Sequence, residues 1–301
     1  MTLNKTVKRV GCVVETVTGR HRVVLSRLLP DAEPGNFAVR EGQFHLVVIG
    51  TDRVVCLPRT EAAAVRLPRR AAVLRVLAGF DRGFRVPVPL EEGGADGIGE
   101  QPFLVLSRVP GAPLAAEVLD DPQVADVVAG QYVGLLADLA RACADDRVRA
   151  ALPAPEDRWP RFAADVRAEL FGLMSADGRR RAEQELGAVE ALPHLAAAAV
   201  VHGDLGPENV LWESINGLPR LSGVVDWDEV GLGDPAEDLA AIGAGHGDSL
   251  LRRVLTLGGW VDHETTARIA AITGTFALQQ ALAAHRDGDE VELADGLTGY
   301  R

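Results

Sequence analysis

Apolar and polar positions alternate in short runs along the first third of the chain, a pattern that predicts β-strands. Residues 44–49 and 53–57 form two such runs, and the Gly-Thr-Asp segment at 50–52 joins them as a plausible hairpin. One longer segment, from 66 to 78, has the periodicity of a helix. The glycine- and acid-rich stretch from 91 to 101 indicates a surface loop between two further strands.

After Pro113 the apolar residues recur every three or four positions, which predicts helices. The change of pattern marks a boundary near residues 107–113. We therefore expect an N-terminal lobe over residues 1–107, a connecting segment over 108–113 and a C-terminal lobe over 114–301. The predicted helices span residues 124–142, 161–174 and 179–192.

A valine-rich run at 198–201 predicts a short buried strand that ends where a polar cluster begins. Asp204 therefore lies in a loop at a strand end, where rigid scaffolds usually carry their chemistry. Further on, an Asn-Gly dipeptide at 216–217 stands between two apolar runs and predicts a β-hairpin, because a type I′ turn needs positive φ at both central residues. Folding the chain there sets Asn209 against Asp226 at the open end of the hairpin, beside Asp204.

This group of residues has the chemistry of a magnesium-assisted phosphoryl transfer site. A carboxylate and an amide oxygen, from Asp226 and Asn209, are hard ligands of the kind that Mg²⁺ accepts. That leaves Asp204 free to accept a proton from an attacking hydroxyl group. The alternative is an Asp- and Asn-rich turn whose side chains bond their own backbone. That alternative explains any one of these residues better than it explains the three together.

The segment from Asp234 to Glu237 has the signature of a helix start. Asp at the N-cap, Pro235 at the first helical position and Glu237 three residues after Asp234 resemble a capping box. A structural role is therefore sufficient to explain Asp234 and Glu237.

Composition indicates an ordinary globular protein, with 47% hydrophobic residues in a chain of 301. No apolar run reaches the roughly 18 residues of a membrane span, and the N-terminus lacks the apolar core of a secretory signal. The cysteines, Cys12, Cys56 and Cys143, are odd in number and far apart, which disfavours a disulfide framework or a zinc site. We expect a cytoplasmic protein.

The formal net charge of −12 makes nucleic acid and anionic membranes poor partners, whereas a cationic ligand would be attracted. Asp228 and Glu229 are the best placed acids for such a ligand, since they follow Asp226 directly. A second group of acids near the C-terminus more simply forms a solvated surface. These residues are Asp287, Asp289, Glu290, Glu292 and Asp295.

Two motifs give the chain a family resemblance: His-Gly-Asp-x-x-x-x-Asn at 202–209 and Asp-Trp-Asp at 226–228. They resemble the motifs of the aminoglycoside phosphotransferase family, which has the protein-kinase-like fold. The resemblance implies an α+β, two-lobed enzyme with an antiparallel sheet and a helix in the N-terminal lobe and a mostly helical C-terminal lobe with a catalytic β-hairpin. It also assigns roles to individual residues. They are Asp204 as catalytic base, Asn209 and Asp226 as magnesium ligands, and His202 and Asp234 as residues that organise the loop.

The apolar strand at 103–106 leads into a turn with Pro110 and resembles the connecting hinge of the same family. By that resemblance the backbone of Ser107 and Val109 would bind the purine base of ATP or GTP. The whole length also resembles the phosphotransferases that inactivate tuberactinomycin peptide antibiotics, viomycin and capreomycin. The segments that carry this resemblance are 40–45, 53–56, 106–108, 224–231, 275–280 and 299–301. This implies a cationic peptide antibiotic as substrate.

The chain departs from the kinase pattern at the residues that hold the nucleotide phosphates. Such enzymes pair a lysine or arginine on the third strand with a glutamate on the next helix. Here Cys56 stands at the strand position and Arg70 at the helix position, so both halves of the ion pair are changed. Arg70, Arg59 or Arg66 would have to reach the phosphates instead, although a charge on a helix usually belongs to a solvated face. The phosphate loop has one glycine, Gly42.

The sequence therefore predicts a kinase that moves the γ-phosphoryl group of a nucleoside triphosphate to a hydroxyl group of a tuberactinomycin antibiotic. A kinase of the same fold acting on an aminoglycoside, a macrolide or another small alcohol is one alternative. A nucleotide-binding pseudokinase is the other, because the ion pair of the nucleotide site is altered.

Overall fold

The structure is a computed structural model that describes residues 24–30, 38–41, 45–80, 82–94, 101–153, 158–193 and 199–301. The chain divides into two compact units. The first consists of Met1–Val118, Ala144–Ala151 and Pro207–Asp228, and the second of Leu119–Cys143, Leu152–Gly206 and Glu229–Arg301. This division follows the compactness of the two units and does not test the lobe boundaries predicted from the sequence. Those boundaries stay a prediction.

The first unit contains a five-stranded antiparallel sheet with the strand order β1-β2-β3-β5-β4. The predicted hairpin at 50–52 is confirmed, since the Gly50 N–H donates to the Arg53 carbonyl over 2.9 Å. The strands are β1 Ala38–Glu41, β2 His45–Ile49, β3 Arg53–Pro58, β4 Pro89–Gly93 and β5 Phe103–Ser107.

Strand β4 corrects the start of the loop predicted at 91–101, because Glu91 and Glu92 pair with β5, while residues 95–100 lie outside the described part of the chain. Both glutamates are exposed on an edge strand. The apolar alternation that identifies a half-buried strand is therefore missing here, although the backbone pairing is present.

Helix α1, Glu61–Ala78, follows β3 and packs on β3, β4 and β5. It begins before the predicted start at 66, because the Thr60 hydroxyl accepts a 3.1 Å bond from the Ala63 N–H and caps the helix. Helix α3, Asp146–Ala151, packs against α1. A buried apolar cluster covers the other side of the sheet and includes side chains from the helical segment at 24–28. It contains Leu25, Leu28, Leu29, Leu46, Val48, Val55, Leu57, Phe103 and Val105.

The first unit also contains the predicted β-hairpin, formed by β7 Val210–Ile215 and β8 Leu218–Val224. Asn216 has φ 53° and Gly217 has φ 78°. Positive φ at both residues confirms the two-residue turn expected from the Asn-Gly dipeptide.

The second unit is mostly helical, with one antiparallel pair of short strands, β6 Ala199–Val201 and β9 Gly231–Gly233. The helical region predicted at 161–174 divides into helix α4, Arg158–Glu169, and a 3-10 turn, Phe171–Leu173. None of the helices in the described part of the chain combines the length and apolarity needed to cross a bilayer. The helices of this unit are α2 Pro122–Ala142, α4 Arg158–Glu169, α5 Ala176–Glu190, α6 Ala236–His246, α7 Asp248–Gly258, α8 His263–Gly274, α9 Phe276–Asp287 and α10 Glu290–Gly296.

Candidate active site

The β7–β8 hairpin brings Asn209 and Asp226 to its open end. The backbone N–H of Val225 donates to the Asn209 carbonyl over 2.9 Å, one residue outside the strand pair. Asn209 is buried and ends a 3-10 turn, whereas Asp226 has φ 65°. Few residues other than glycine adopt that conformation, and those that do are concentrated at functional sites. The structure thus places Asn209 and Asp226 at the same end of the hairpin, as expected from the sequence.

Both edges of this hairpin are bonded to other segments of the first unit. On the β8 edge, the Arg85 N–H donates to the Ser222 carbonyl and the Val224 N–H donates to the Arg85 carbonyl, each over 2.9 Å. On the β7 edge, Trp212 and Ala112 donate to each other's carbonyl groups over 2.8 and 3.0 Å. Bonds on both edges hold the open end of the hairpin in place.

Trp227 fixes the segment that follows β8. Its indole N–H donates to the Val224 carbonyl over 2.9 Å. The indole is buried and lies parallel to the Phe84 ring, with 6.4 Å between ring centroids. Because Trp227 is anchored twice, the two acids beside it, Asp226 and Asp228, have a defined position.

Arg70 on α1 forms an ion pair with Asp228. The Arg70 Nε atom lies 2.9 Å from Asp228 Oδ1, and the side chains are 12% and 21% exposed. Arg70 therefore does not lie on a solvated face of the helix. Burial lowers the pKa of the Arg70 guanidinium, but the Asp228 and Asp226 carboxylates outweigh that effect and raise it. Arg70 therefore stays charged at neutral pH.

His45, at the start of β2, also contacts Arg70. Its Nδ1 atom lies 3.2 Å from Arg70 Nη1, and since a guanidinium only donates, Nδ1 is the acceptor and Nε2 carries the proton. Burial and the Arg70 charge lower the pKa of His45 to about 4. The ring is therefore neutral at neutral pH, and its 3.7 Å approach to Asp228 is not an ion pair. The sequence contained no signal for this contact beyond the position of His45 at a strand end.

Cys56 lies in the middle of β3, opposite Val47 of β2 and Leu104 of β5. The thiol is buried, and burial raises its pKa, so it is uncharged at neutral pH. The charge of Arg70 acts in the opposite direction on the same pKa.

The connecting segment follows β5. The Ser107 N–H donates to the Val88 carbonyl and the Ser107 hydroxyl accepts from the Val88 N–H, each over 2.8 Å. Val109 is buried. The expected phosphate-loop glycine, Gly42, lies outside the described residues.

In the second unit, the loop after β6 is organised by a buried carboxylate from α6. Asp238 accepts backbone N–H bonds from His202 over 2.9 Å and from Gly203 over 3.0 Å. The Asp204 N–H in turn donates to Nδ1 of the buried His202 ring over 3.3 Å. His202 therefore organises the loop, as the family resemblance implies, and Asp238 is a second residue that does so.

Asp234 has a different position from Asp238. Its Oδ1 atom accepts from the Ala236 N–H over 2.9 Å, and its own N–H donates to Glu237 Oε1 over 3.3 Å. These two bonds resemble the predicted capping box, but α6 begins at Ala236 with Pro235 as its N-cap, one residue later than predicted. The other carboxylate oxygen, Oδ2, pairs with Arg268 Nη1 at 2.8 Å. The described hydrogen bonds to the backbone of the loop thus come from Asp238. This residue lies in the first turn of α6, and a capping pattern does not identify it.

Gly203 is required by the backbone beside it. It has φ 82°, and a Cβ atom there would lie 2.6 Å from the Glu229 carbonyl oxygen. Only glycine fits both conditions, which explains the residue between His202 and Asp204. The Glu229 side chain is exposed, as a residue that binds a cationic ligand needs to be.

A family model described as the phosphotransferase enzyme family matches residues 26–272. The chain belongs to the phosphotransferase enzyme family. As a member of this family it is a small-molecule phosphotransferase, so the prediction of an enzyme that transfers phosphoryl groups is confirmed. A relative in the family, viomycin phosphotransferase from Streptomyces vinaceus, is 66% identical over 290 residues, which cover 96% of this chain and 99% of the relative.

Solved structures of the family share the fold. The GDP and kanamycin complex of an APH(2″) enzyme superposes with a TM-score of 0.77 at 18% identity, and covers 93% of this chain and 96% of that one. Macrolide 2′-phosphotransferase type I superposes with a TM-score of 0.69 at 23% identity, over 95% and 97% of the two chains. The predicted α+β, protein-kinase-like fold is confirmed.

Proposed function

We propose that this chain transfers the γ-phosphoryl group of ATP or GTP to a hydroxyl group of a tuberactinomycin peptide antibiotic, with viomycin and capreomycin as the first candidates. The proposal rests on the 66% identity to viomycin phosphotransferase, which extends over nearly the whole of both chains. The net charge of −12 supports it, because this peptide class carries guanidine and amine groups that an acidic protein attracts.

Asp204 is the proposed catalytic base. It accepts the proton of the attacking hydroxyl group, a role worth roughly 10² to 10⁴ in rate. Its place in the loop supports this role, because the backbone on its N-terminal side is held by Asp238 and its own N–H is held by the His202 ring. A base fixed in this way loses little entropy when the substrate hydroxyl group arrives.

Asn209 and Asp226 are the proposed magnesium ligands. Both present hard oxygen atoms from the open end of one hairpin, which suits an ion that takes one or two protein ligands and completes its shell with water and phosphate oxygens. When bound, Mg²⁺ neutralises charge on the transferred phosphoryl group.

The nucleotide is proposed to lie against the connecting segment. The N–H of Ser107 is used by Val88, so we assign the contacts with the purine base to the Ser107 carbonyl and the Val109 backbone. Gly42 and Arg70 are the proposed phosphate contacts. Since the donor nucleotide is a cytoplasmic metabolite, we place the reaction in the cytoplasm.

The cationic substrate is proposed to contact the acids that follow Asp226, Asp228 and Glu229, which are both exposed residues. Asp228 is the second acid of this segment, and its carboxylate is already partly neutralised by Arg70. We therefore expect Glu229→Gln to raise the KM for the antibiotic more than Asp228→Asn does.

The test is a mass spectrum of viomycin and of capreomycin after incubation with the protein, Mg²⁺ and either ATP or GTP. We expect a gain of one phosphoryl group, and its loss in Asp204→Asn, which keeps the size of the side chain but removes the base. Full transfer by Asp204→Asn would reject the assigned base. No transfer to either peptide would reject the substrate class.

The family resemblance supports one alternative, a kinase for an aminoglycoside or a macrolide, since solved relatives include a kanamycin complex and a macrolide phosphotransferase. Kanamycin and a macrolide therefore belong in the same assay. The buried, uncharged Cys56 supports the other alternative, a pseudokinase. Binding of Mg-nucleotide with no transfer to any acceptor would favour it.

A further inference from the structure

The nucleotide site of a kinase-like enzyme needs a positive charge at the phosphates and an acid that holds this charge in place. Protein kinases put the cation on the third strand and the acid on the following helix. In this chain the strand residue is Cys56, and the helix residue is Arg70. A simple loss of the pair would leave an apolar or solvated helix position. The structure instead has a largely buried arginine there, and buried arginines are rarely found without a partner.

The partner of Arg70 is Asp228, from the segment that carries the proposed magnesium ligand Asp226. Their side chains approach to 2.9 Å between Arg70 Nε and Asp228 Oδ1. A second group, His45, accepts at 3.2 Å from Arg70 Nη1. The guanidinium is therefore oriented by two neighbours on different strands and turns. A guanidinium with a fixed position is suited to binding a ligand, and a solvated arginine would have no such restraint.

The position of the guanidinium is the second part of the argument. Arg70 contacts His45 of β2, and His45 lies two residues before Val47, which pairs with Cys56 of β3. Arg70 also contacts Asp228, which lies two residues after the proposed magnesium ligand Asp226. The arginine charge is therefore near the strand position where a lysine is expected and near the segment of the proposed magnesium ligand. A second cation at Cys56 would face Arg70 in a buried site.

We propose that this chain replaces the usual ion pair of the nucleotide site with a pair from other positions. Arg70 supplies the phosphate-binding charge from helix α1, and Asp228 is its counter-ion. The inference rests on the proposed function, since it assumes a nucleoside triphosphate donor. Nε stays with Asp228 while the terminal nitrogens donate to phosphate oxygens, to which a guanidinium can donate in pairs. Asp228 is then a positioning residue for Arg70, and this role takes the place of the antibiotic contact proposed for Asp228.

The first experiment measures binding without any acceptor, by titration calorimetry with Mg·ATP, Mg·GTP and the parent nucleosides. We expect Arg70→Gln to weaken binding of the triphosphate by about 10- to 100-fold, the range for losing charge-assisted hydrogen bonds. Nucleoside binding should stay as in the wild type, because the purine contacts are elsewhere. Arg69→Gln is the matched control, since Arg69 is the neighbouring and exposed arginine of the same helix.

The second experiment exchanges the two positions. Cys56→Lys alone adds a cation beside Arg70, and Arg70→Glu alone removes the cation and places an acid near Asp228, so each should weaken triphosphate binding. The double variant has a strand lysine and a helix glutamate, the usual kinase arrangement, and should recover at least half of the lost binding free energy. If Arg70→Gln does not fold, this double variant and Arg70→Lys, which keeps the charge but loses the fork, decide the question.

Three outcomes overturn the proposal. They are wild-type triphosphate affinity in Arg70→Gln, an equal loss of nucleoside and triphosphate affinity in that variant, and a double variant no better than the worse single one. Asp228→Asn separates the two roles of the acid: a weaker triphosphate affinity with an unchanged antibiotic KM supports a counter-ion, and the reverse result overturns it. Failure of the antibiotic assay would not affect the binding results, so the two proposals fail separately.

Discussion

The carboxylate of Asp238 accepts a 2.9 Å hydrogen bond from the backbone N–H of His202, across 36 positions of the chain. Burial raises the pKa of Asp238, and His202 and the two N–H donors of the loop oppose this rise. A buried carboxylate that holds two backbone donors is costly to remove, because both donors are then left unsatisfied. Helix α6 therefore sets the position of the loop that carries the proposed base.

Replacing Asp238 should lower kcat more than it changes KM. In Asp238→Asn one acceptor oxygen becomes an N–H donor that faces another donor, so the loop shifts. Displacement of a positioned base on this scale costs on the order of 10²-fold in rate. The free energy of unfolding should also fall by about 1–3 kcal/mol. Steady-state kinetics and urea denaturation measure both. Asp248→Asn, an exposed acid at the start of α7, is the control. A wild-type kcat in folded Asp238→Asn would contradict the role assigned to Asp238.

Gly223→Ala should destabilise the protein. A Cβ atom at this position would lie 2.4 Å from the Arg85 carbonyl oxygen and 2.6 Å from a methyl carbon of Val109. The Arg85 carbonyl cannot move away easily, since it accepts the Val224 N–H. We expect a loss of about 1–3 kcal/mol, typical of overpacking.

The same substitution at Gly134 is the matched control for Gly223→Ala. Gly134 is exposed in helix α2, and a Cβ atom there meets nothing within 4 Å. Because alanine is the better helix former, Gly134→Ala should stabilise the protein by about 0.5–1 kcal/mol. Chemical denaturation of both variants should therefore give shifts of opposite sign. Equal shifts would contradict the close approach of Arg85 to β8.

Glu237 should make stability fall as pH rises through the weakly acidic range. Burial raises its pKa to about 7, against the opposing effect of Arg158. The folded protein holds this proton more tightly than the unfolded chain does, so the contribution is fully present below pH 4.5 and is lost between about 4.5 and 7.

Glu237→Gln removes that titration. The wild type minus Glu237→Gln difference in unfolding free energy should fall with pH over this range, by about 1–3 kcal/mol in total. Glu183→Gln, at an exposed glutamate, provides the comparison. A pH-independent difference would show that Glu237 titrates normally.

His246 should act in the opposite direction. Its Nε2 atom lies 2.8 Å from the Tyr132 hydroxyl oxygen, and burial lowers the pKa of the ring to about 4. The neutral form is therefore favoured in the folded state. Stability from this group is present above about pH 6.5 and is lost as pH falls toward 4.

Denaturation midpoints of His246→Gln at pH 5 and pH 7.5 test this prediction. The variant should lose less stability than the wild type on going to pH 5, because it has no ring to protonate. His263→Gln, at an exposed histidine, should follow the wild type. A variant that loses as much stability as the wild type would contradict a buried, neutral His246.

Sequence patterns determined the features that depend on neighbouring residues. The Asn-Gly turn at 216–217 requires positive φ, so it fixed the hairpin and the meeting of Asn209 with Asp226. The capping bonds at the start of α6 were readable for the same reason, since Asp234 and Glu237 act within one helical turn. Where the local signal was weak, as in the acidic edge strand β4, the prediction was wrong.

Only the tertiary structure decided how charges from distant parts of the chain pair. Periodicity assigns Arg70 to a helix but does not say which acid will approach it, and Asp228 follows it by more than half the chain. The bonds from Asp238 to His202 and Gly203 are likewise made across two elements. The physical reason is the same in both cases. Turns and helix caps are determined by short-range sterics and hydrogen bonds, whereas the partner of a buried charge depends on which distant residue the tertiary packing places beside it.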